Sequence, residues 1–223
     1  ISAVELPANV QFDLIFPRNN TVYKPVYPFP FVFALHNASA AWQFDESIRW
    51  EWSLGMLLPE EEMRDDALSP DVFSSSKFPS NATHEIGLSQ PGSHIIIEAE
   101  TSIYTRWTPR MRLRYSFGIY NACTESGLVP SPRKLDVYYS DSIYLMFDRD
   151  KGELPEMTAA GLCPIPLGSI RVQDEGIASN MNNQSCPMLD QSPQPTETCA
   201  IAINEKVVNQ VDEKMLDVAG CPT

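Results

Sequence analysis

The chain has 223 residues, 43% of them hydrophobic and 20% charged, which is enough apolar material for a full core and too much for a disordered chain. Its 29 acidic against 16 basic residues give a net charge of −13, which argues against nucleic acid or an anionic membrane surface as partner. Nineteen prolines favour loops and strand edges over long helices.

Period-two alternation runs through the first 150 residues. Val10, Phe12, Leu14 and Phe16 share one face of a strand, and Phe29, Phe31, Phe33 and Leu35 share another. Ile48, Trp50, Trp52 and Leu54 face one way, with Arg49, Glu51 and Ser53 opposite. The segment Leu57–Pro91 breaks the pattern with Glu60, Glu61, Glu62, Asp65 and Asp66, and reads as a long excursion carrying one short strand or helical turn. Ile95, Ile97 and Ala99 then alternate with Glu98 and Glu100. Met111, Leu113, Tyr115, Phe117 and Ile119 alternate with Arg110, Arg112, Arg114 and Ser116, and Ile143, Leu145 and Phe147 close the series. Strict alternation means one buried and one wet face. Short runs of this kind between Pro, Gly, Asn and Ser clusters point to an antiparallel, immunoglobulin-like β-sandwich of about seven strands. A hairpin is expected between 94–101 and 109–120, with Glu98 and Glu100 opposite Arg112 and Arg110.

After Asp150 the texture changes, so a 1–150 sandwich domain and a 151–223 extension packed on it are expected. The extension holds one strand at Ser169–Val172 and another at Cys199–Ile203. Asn204 is placed to cap a helix through about Val218. Val207, Val208, Val211, Met215 and Val218 lie on one face of that helix, and Gly220 sits as its terminator.

Two features predict a secreted, extracellular protein. Asn19, Asn37, Asn81 and Asn183 each begin an Asn-x-Ser/Thr acceptor for N-glycosylation. Cys163, Cys186, Cys199 and Cys221 cluster near the end, with Cys123 before them, as in a disulfide-stapled segment. Five choices of odd cysteine times three pairings leave fifteen arrangements open. The chain opens at Ile1 with no basic-then-apolar leader, as processing would leave it.

Candidate chemistry is sparse. No nucleophile elbow and no phosphate-cradling glycine loop is present. His36, His84 and His94 have no metal-ligand spacing and read as structural or solvated, so no metal and no cofactor is expected. Asp45, Glu46 and Glu51 beside Trp42, Trp50 and Trp52 are the candidates for a carboxylate pair acting on a sugar, although Trp50 and Trp52 fall in phase with a core face. Asp148 to Glu153 has the oxygens of a calcium-loop start without the remaining ligands and reads as a solvated turn. Tyr104 and Trp107, in the loop at 102–108, are candidates for stacking on a ligand.

The stretches Phe12-Asp13-Leu14-Ile15-Phe16-Pro17-Arg18-Asn19-Asn20-Thr21-Val22-Tyr23 and Phe29-Pro30-Phe31-Val32-Phe33-Ala34-Leu35-His36-Asn37 resemble the opening of a family of secreted fungal proteins carrying a domain of unknown function. Trp50-x-Trp52, the Trp107 to Cys123 segment and the Cys199-Ala200-Ile201-Ala202-Ile203 stretch before a helix ending at Cys221 extend the resemblance over most of the chain. It implies secretion, glycosylation and disulfides, and no activity or catalytic residue. The expectation is therefore a secreted glycoprotein acting as a non-catalytic binding protein, for cell-wall or plant polysaccharide. The alternatives are a carbohydrate-active hydrolase using paired carboxylates and an effector-type protein that binds another protein.

Overall fold

The computed structural model describes residues 5–44, 48–56, 72–74, 93–101, 103, 110–120, 123, 135–157, 163–178, 184–190, 192, 194–199, 201 and 203–221. Among these, ten strands form two five-stranded sheets. They are β1 (Ala8–Phe16), β2 (Thr21–Tyr23), β3 (Phe29–His36), β4 (Ile48–Met56), β5 (Val72–Ser74), β6 (His94–Glu100), β7 (Arg110–Tyr120), β8 (Leu135–Phe147), β9 (Ile165–Ala178) and β10 (Gln184–Leu189). A short helix α1 (Ala38–Trp42) follows β3, and α2 (Glu205–Ala219) ends the described chain. The first sheet runs β10-β9-β1-β3-β6 and the second β2-β8-β7-β4-β5. All pairings are antiparallel except β2 with β8. The mainly β, antiparallel, disulfide-bearing fold with a C-terminal helix matches the expectation, and the layout is compatible with an immunoglobulin-like sandwich.

The alternating residues explain the packing. Phe12 of β1 lies 5.4 Å, centroid to centroid, from Phe117 of β7 and 6.0 Å from Trp50 of β4. Phe31 of β3 lies 4.9 Å from Trp52. These rings join the inner faces of both sheets, and Phe12, Phe31, Phe33, Trp50, Leu113 and Phe117 are all at most 1% exposed. Tyr139 of β8 crosses to the other sheet above Gly168 of β9, where a Cβ would stand 2.4 Å from its ring. Glycine is the residue that lets the Tyr139 ring lie that close to the β9 backbone.

The expected 94–101/109–120 hairpin does not form. β6 pairs with β3, β7 pairs with β4 and β8, and the two segments belong to different sheets. Glu98 and Glu100 therefore do not lie opposite the arginines of β7. Alternation specifies the face a residue takes but not the strand beside it. The strand expected at Cys199–Ile203 is also absent from the described residues, where Cys199 takes a left-handed φ of 59°. Residues beyond 150 supply β9 and β10 to the first sheet, β9 lying between β10 and β1.

The helix forms where the capping signals put it. Asn204 Oδ1 accepts from Val207 N at 3.1 Å, and Gly220 closes the helix at φ 72°. Val207 and Val211 are buried, and α2 packs on β3 and β6. Every residue of β3 is buried, so the first sheet is covered on both faces over that strand. His36 and His94, placed on the polar sides of their strands, are buried rather than solvated, at 9% and 2% exposure. Cys123–Cys186 and Cys163–Cys199 are bonded, and Cys221 is free and exposed. No described helix is long and apolar enough to cross a membrane. Two disulfides are compatible with an extracellular setting.

Candidate functional site

With the first sheet covered over β3, the sheet face that carries no helix among the described residues belongs to β4, β7 and β8. Trp50, Trp52 and Leu54, the odd residues Met111 to Ile119, and Ile143, Leu145 and Phe147 are buried on the core side. Strand alternation then turns the residues between them outward. The register sets these outward residues in rows across the three strands. Arg49, Gly118 and Tyr138 lie side by side, followed by Glu51, Ser116 and Ser140. Next come Ser53, Arg114 and Ser142, then Gly55, Arg112 and Tyr144, with Arg110 beside Met146 at the end. At roughly 6.7 Å between rows, this face is about 27 Å long.

A hollow of about 450 Å³ sits on it, lined among others by Glu51, Ser53, Arg112, Arg114, Ser116, Tyr138, Ser140 and Ser142. Tyr138 stands half-exposed as a wall and Ser116 is buried at the floor. At the far end the Arg110 guanidinium stacks 4.7 Å over the Tyr144 ring, which fixes its position. The Nε of Arg112 is shielded from water and has no hydrogen-bond acceptor. Beneath the hollow the buried Tyr115 hydroxyl faces Asp141 without a hydrogen bond of good geometry. Burial first, and the Asp141 carboxylate second, push its pKa well above the usual tyrosine value.

The sequence candidates divide. Glu51 is exposed and belongs to this face, while Trp50 and Trp52 belong to the core. Asp45 and Glu46 lie outside the described residues, as do Tyr104, Trp107, Asn81, Asn183 and the 102–108 loop apart from Ile103. Asp141 also lines the hollow and is exposed, although strand parity sets it with Tyr139 and Ile143. Among the described residues, two carboxylates, Glu51 and Asp141, thus border the hollow together with Arg112 and Arg114. Asn19 and Asn37 are exposed. Asn19 Oδ1 accepts from Tyr144 N at 3.0 Å, whereas Asn37 Nδ2 donates to Asn9 O at 2.6 Å. Asp148 Oδ1 accepts from Asp150 N and Lys151 N, which lowers its pKa and closes the solvated turn. Arg18 pairs with Glu153 across the same turn.

Sequence reasoning missed Tyr138, Ser140, Ser142 and Tyr144. The signal was present as Val137 and Tyr139 in phase with Ile143, which extends the last strand back by several residues. It also missed a buried polar cluster on the other sheet. Gln11 Nε2 donates to Asp13 Oδ1 and to Glu197 O, both at 2.8 Å, and Gln11 Oε1 accepts from Glu197 N at 2.7 Å. The second Asp13 oxygen bonds His36 Nε2 at 2.8 Å. The hydroxyl sharing this face, Ser169, pairs with Gln11 on the side of β1 away from His36. Two strand spacings, roughly 10 Å, separate it from the imidazole. The cluster is a clasp for the C-terminal segment rather than a nucleophile triad.

No curated protein and no solved structure matches the chain. A family model for a domain of unknown function, DUF7136, matches residues 5–223. The chain belongs to that family, which is defined by its sequence and carries no assigned activity.

Proposed function

We propose that this protein is a secreted, non-catalytic binding protein that holds an extended saccharide chain in the groove over β4, β7 and β8. The observation that carries the proposal is the outward face itself. Four serines, two half-buried arginines and the exposed ring of Tyr138 line one open hollow. A sugar chain offers hydroxyls to such donors and acceptors and an apolar ring face to the tyrosine. Strands running beneath the groove keep these groups on a rigid frame, so little ordering entropy is lost on binding. Secretion is supported by the two disulfides and by the exposed acceptors Asn19 and Asn37. Glycans are proposed there and at Asn81 and Asn183.

The test is depletion of the protein from solution by insoluble chitin, cellulose, xylan and β-glucan, and by a pectic polysaccharide, with supernatants assayed for released sugar. Retention without release, weakened in Tyr138→Ala, is expected. Release of sugar would transfer the proposal to hydrolysis, and retention unchanged in Tyr138→Ala would move the site away from this groove. Mass loss on treatment of the secreted protein with an N-glycosidase checks the glycans.

A further inference from the structure

A second hollow, of about 330 Å³, lies where α2 meets the connection between β2 and β3 and the chain that follows the 148–152 turn. Val208, Val211, Asp212 and Met215 recur at helical spacing, so one stripe of α2 forms a wall of it. Pro28, Pro30 and Pro155 stand on the facing side, where their fixed φ holds the shape in advance of any guest. Met157 and Met215 add unbranched thioether chains, which adapt to an apolar guest. The apolar surface does not stop at the hollow. Tyr27 on its wall is 50% exposed, and Leu154 and Leu216, next in sequence to Pro155 and Met215, are 52% and 44% exposed. These are half of the six large hydrophobic side chains left exposed among the described residues, so the patch is wider than one small molecule needs.

The charge beside it has one sign. Glu156 from the 155–157 stretch and Asp212 from α2 border the hollow, and no described residue lining it is basic. Both carboxylates are exposed, and neither is in an ion pair with a described residue. The positions three and four residues from Asp212, which could pair with it along the helix, are Val208, Asn209, Met215 and Leu216. The α2 lysines, Lys206 and Lys214, lie about 120° and 160° round the helix from Asp212. An apolar hollow between two unpaired carboxylates fits a partner of opposite charge. A second copy of this chain, at net charge −13, would meet the rim with like charge, as would an anionic membrane surface.

We infer that this hollow is the docking site for a basic partner protein, which inserts a bulky apolar side chain between α2 and the prolines and sets lysine or arginine against Glu156 and Asp212. Tyr27, Leu154 and Leu216 then cover the surroundings of the inserted side chain and exclude water from it. None of these residues lines the saccharide groove, so either site can fail without the other.

The experiment is selection of random peptides displayed on phage against the immobilised whole protein, followed by fluorescence anisotropy of the enriched peptides with the protein and its variants. Enriched sequences are expected to join a bulky apolar residue to lysine or arginine and to be poor in acids. Tyr27→Ala is expected to weaken their binding by about tenfold, as for an aromatic interface anchor. Asp212→Asn and Glu156→Gln are each expected to weaken it about twofold to fivefold, the range for an exposed ion pair. Asp217→Asn removes the same charge from an exposed position about 140° round α2 from Asp212, and should change nothing. The inference is overturned if no peptide is enriched, or if the enriched peptides lack the basic and apolar pairing. It is overturned too if they bind all three hollow variants as tightly as the parent. A loss in Asp217→Asn equal to that in Asp212→Asn would mean attraction to the acidic chain as a whole, and would also overturn it. A concentration-dependent dimer in sedimentation velocity, abolished by Tyr27→Ala, would give the face to a second copy instead. Asp212 and Glu156 are exposed, so their variants decide the matter even if Tyr27→Ala folds poorly.

Discussion

Replacing Gln11 by Met keeps the side-chain volume close to constant and deletes one clasp. In the native chain the Gln11 amide makes three hydrogen bonds, two of them to the backbone of Glu197, 186 positions away. Gln11 is 5% exposed and Asp13 is 1% exposed, so water replaces these partners poorly. At about 1 kcal/mol net for each bond, with a buried acceptor left short of a donor, the loss comes to about 3 kcal/mol. For a chain of this size 1 kcal/mol moves the midpoint by about 2–4 °C, so Tm should fall by about 6–12 °C. The assay is thermal and urea unfolding of the purified variant beside the parent. An unchanged urea slope is required for the midpoint shift to count as stability. Hydrogen exchange at the Glu197 amide should also accelerate, because its acceptor is gone. Gln43→Ala is the control: it breaks an exposed bond to Glu175 and should cost less than about 0.5 kcal/mol. A Gln11→Met loss below about 1 kcal/mol, or a Glu197 amide still protected, would refute the view that this cluster holds the C-terminal segment to β1.

Gly168→Ala pushes a methyl to within 2.4 Å of the Tyr139 ring and should cost about 1–3 kcal/mol, read as a lower urea midpoint. The raised Tyr115 pKa means the folded state keeps its phenol proton after the unfolded chain has lost it. Its contribution is therefore present below about pH 10 and is lost as pH rises beyond, at up to about 1.4 kcal/mol per pH unit. Tyr115→Phe should flatten that alkaline decline, and an ultraviolet titration should show one fewer late-ionising tyrosine. Thiol titration of the denatured, unreduced protein should find one free thiol per chain, removed by Cys221→Ser with no change in Tm. Replacing Cys163 and Cys199 together by Ser should cost about 2–4 kcal/mol, since the bridge spans 36 residues of otherwise freer unfolded chain.

Much of the sandwich is written in short-range pattern. The alternation of Phe12 with Asp13 and of Trp50 and Trp52 with Glu51 announces strands and their faces, because the pleat sends neighbours to opposite sides whatever lies beyond. Asn204 and Gly220 announce the helix for the same local reason, since both caps act within one turn of the residue that makes them. The arginine row of β7 is equally plain, and its members do point away from the core.

What tertiary structure alone decided is partnership. Nothing local to Glu98 or Arg112 says that β6 joins β3 while β7 joins β4 and β8, since strand partners are chosen by the packing of whole sheets. That choice takes Glu98 and Glu100 away from the arginines of β7 and sets Glu51 and Asp141 on the hollow with Arg112 and Arg114 instead. The same holds for Asp13 of β1 and His36 of β3, whose buried cluster is completed by a segment 186 residues beyond Gln11. It holds too for the cysteines, whose pairing among fifteen arrangements is fixed by which sulfurs the folded strands bring together. Composition determines a compact acidic β protein, and pattern determines its faces. The groove exists because β4, β7 and β8 align their wet residues on one sheet face, while α2 packs on β3 and β6 of the other sheet.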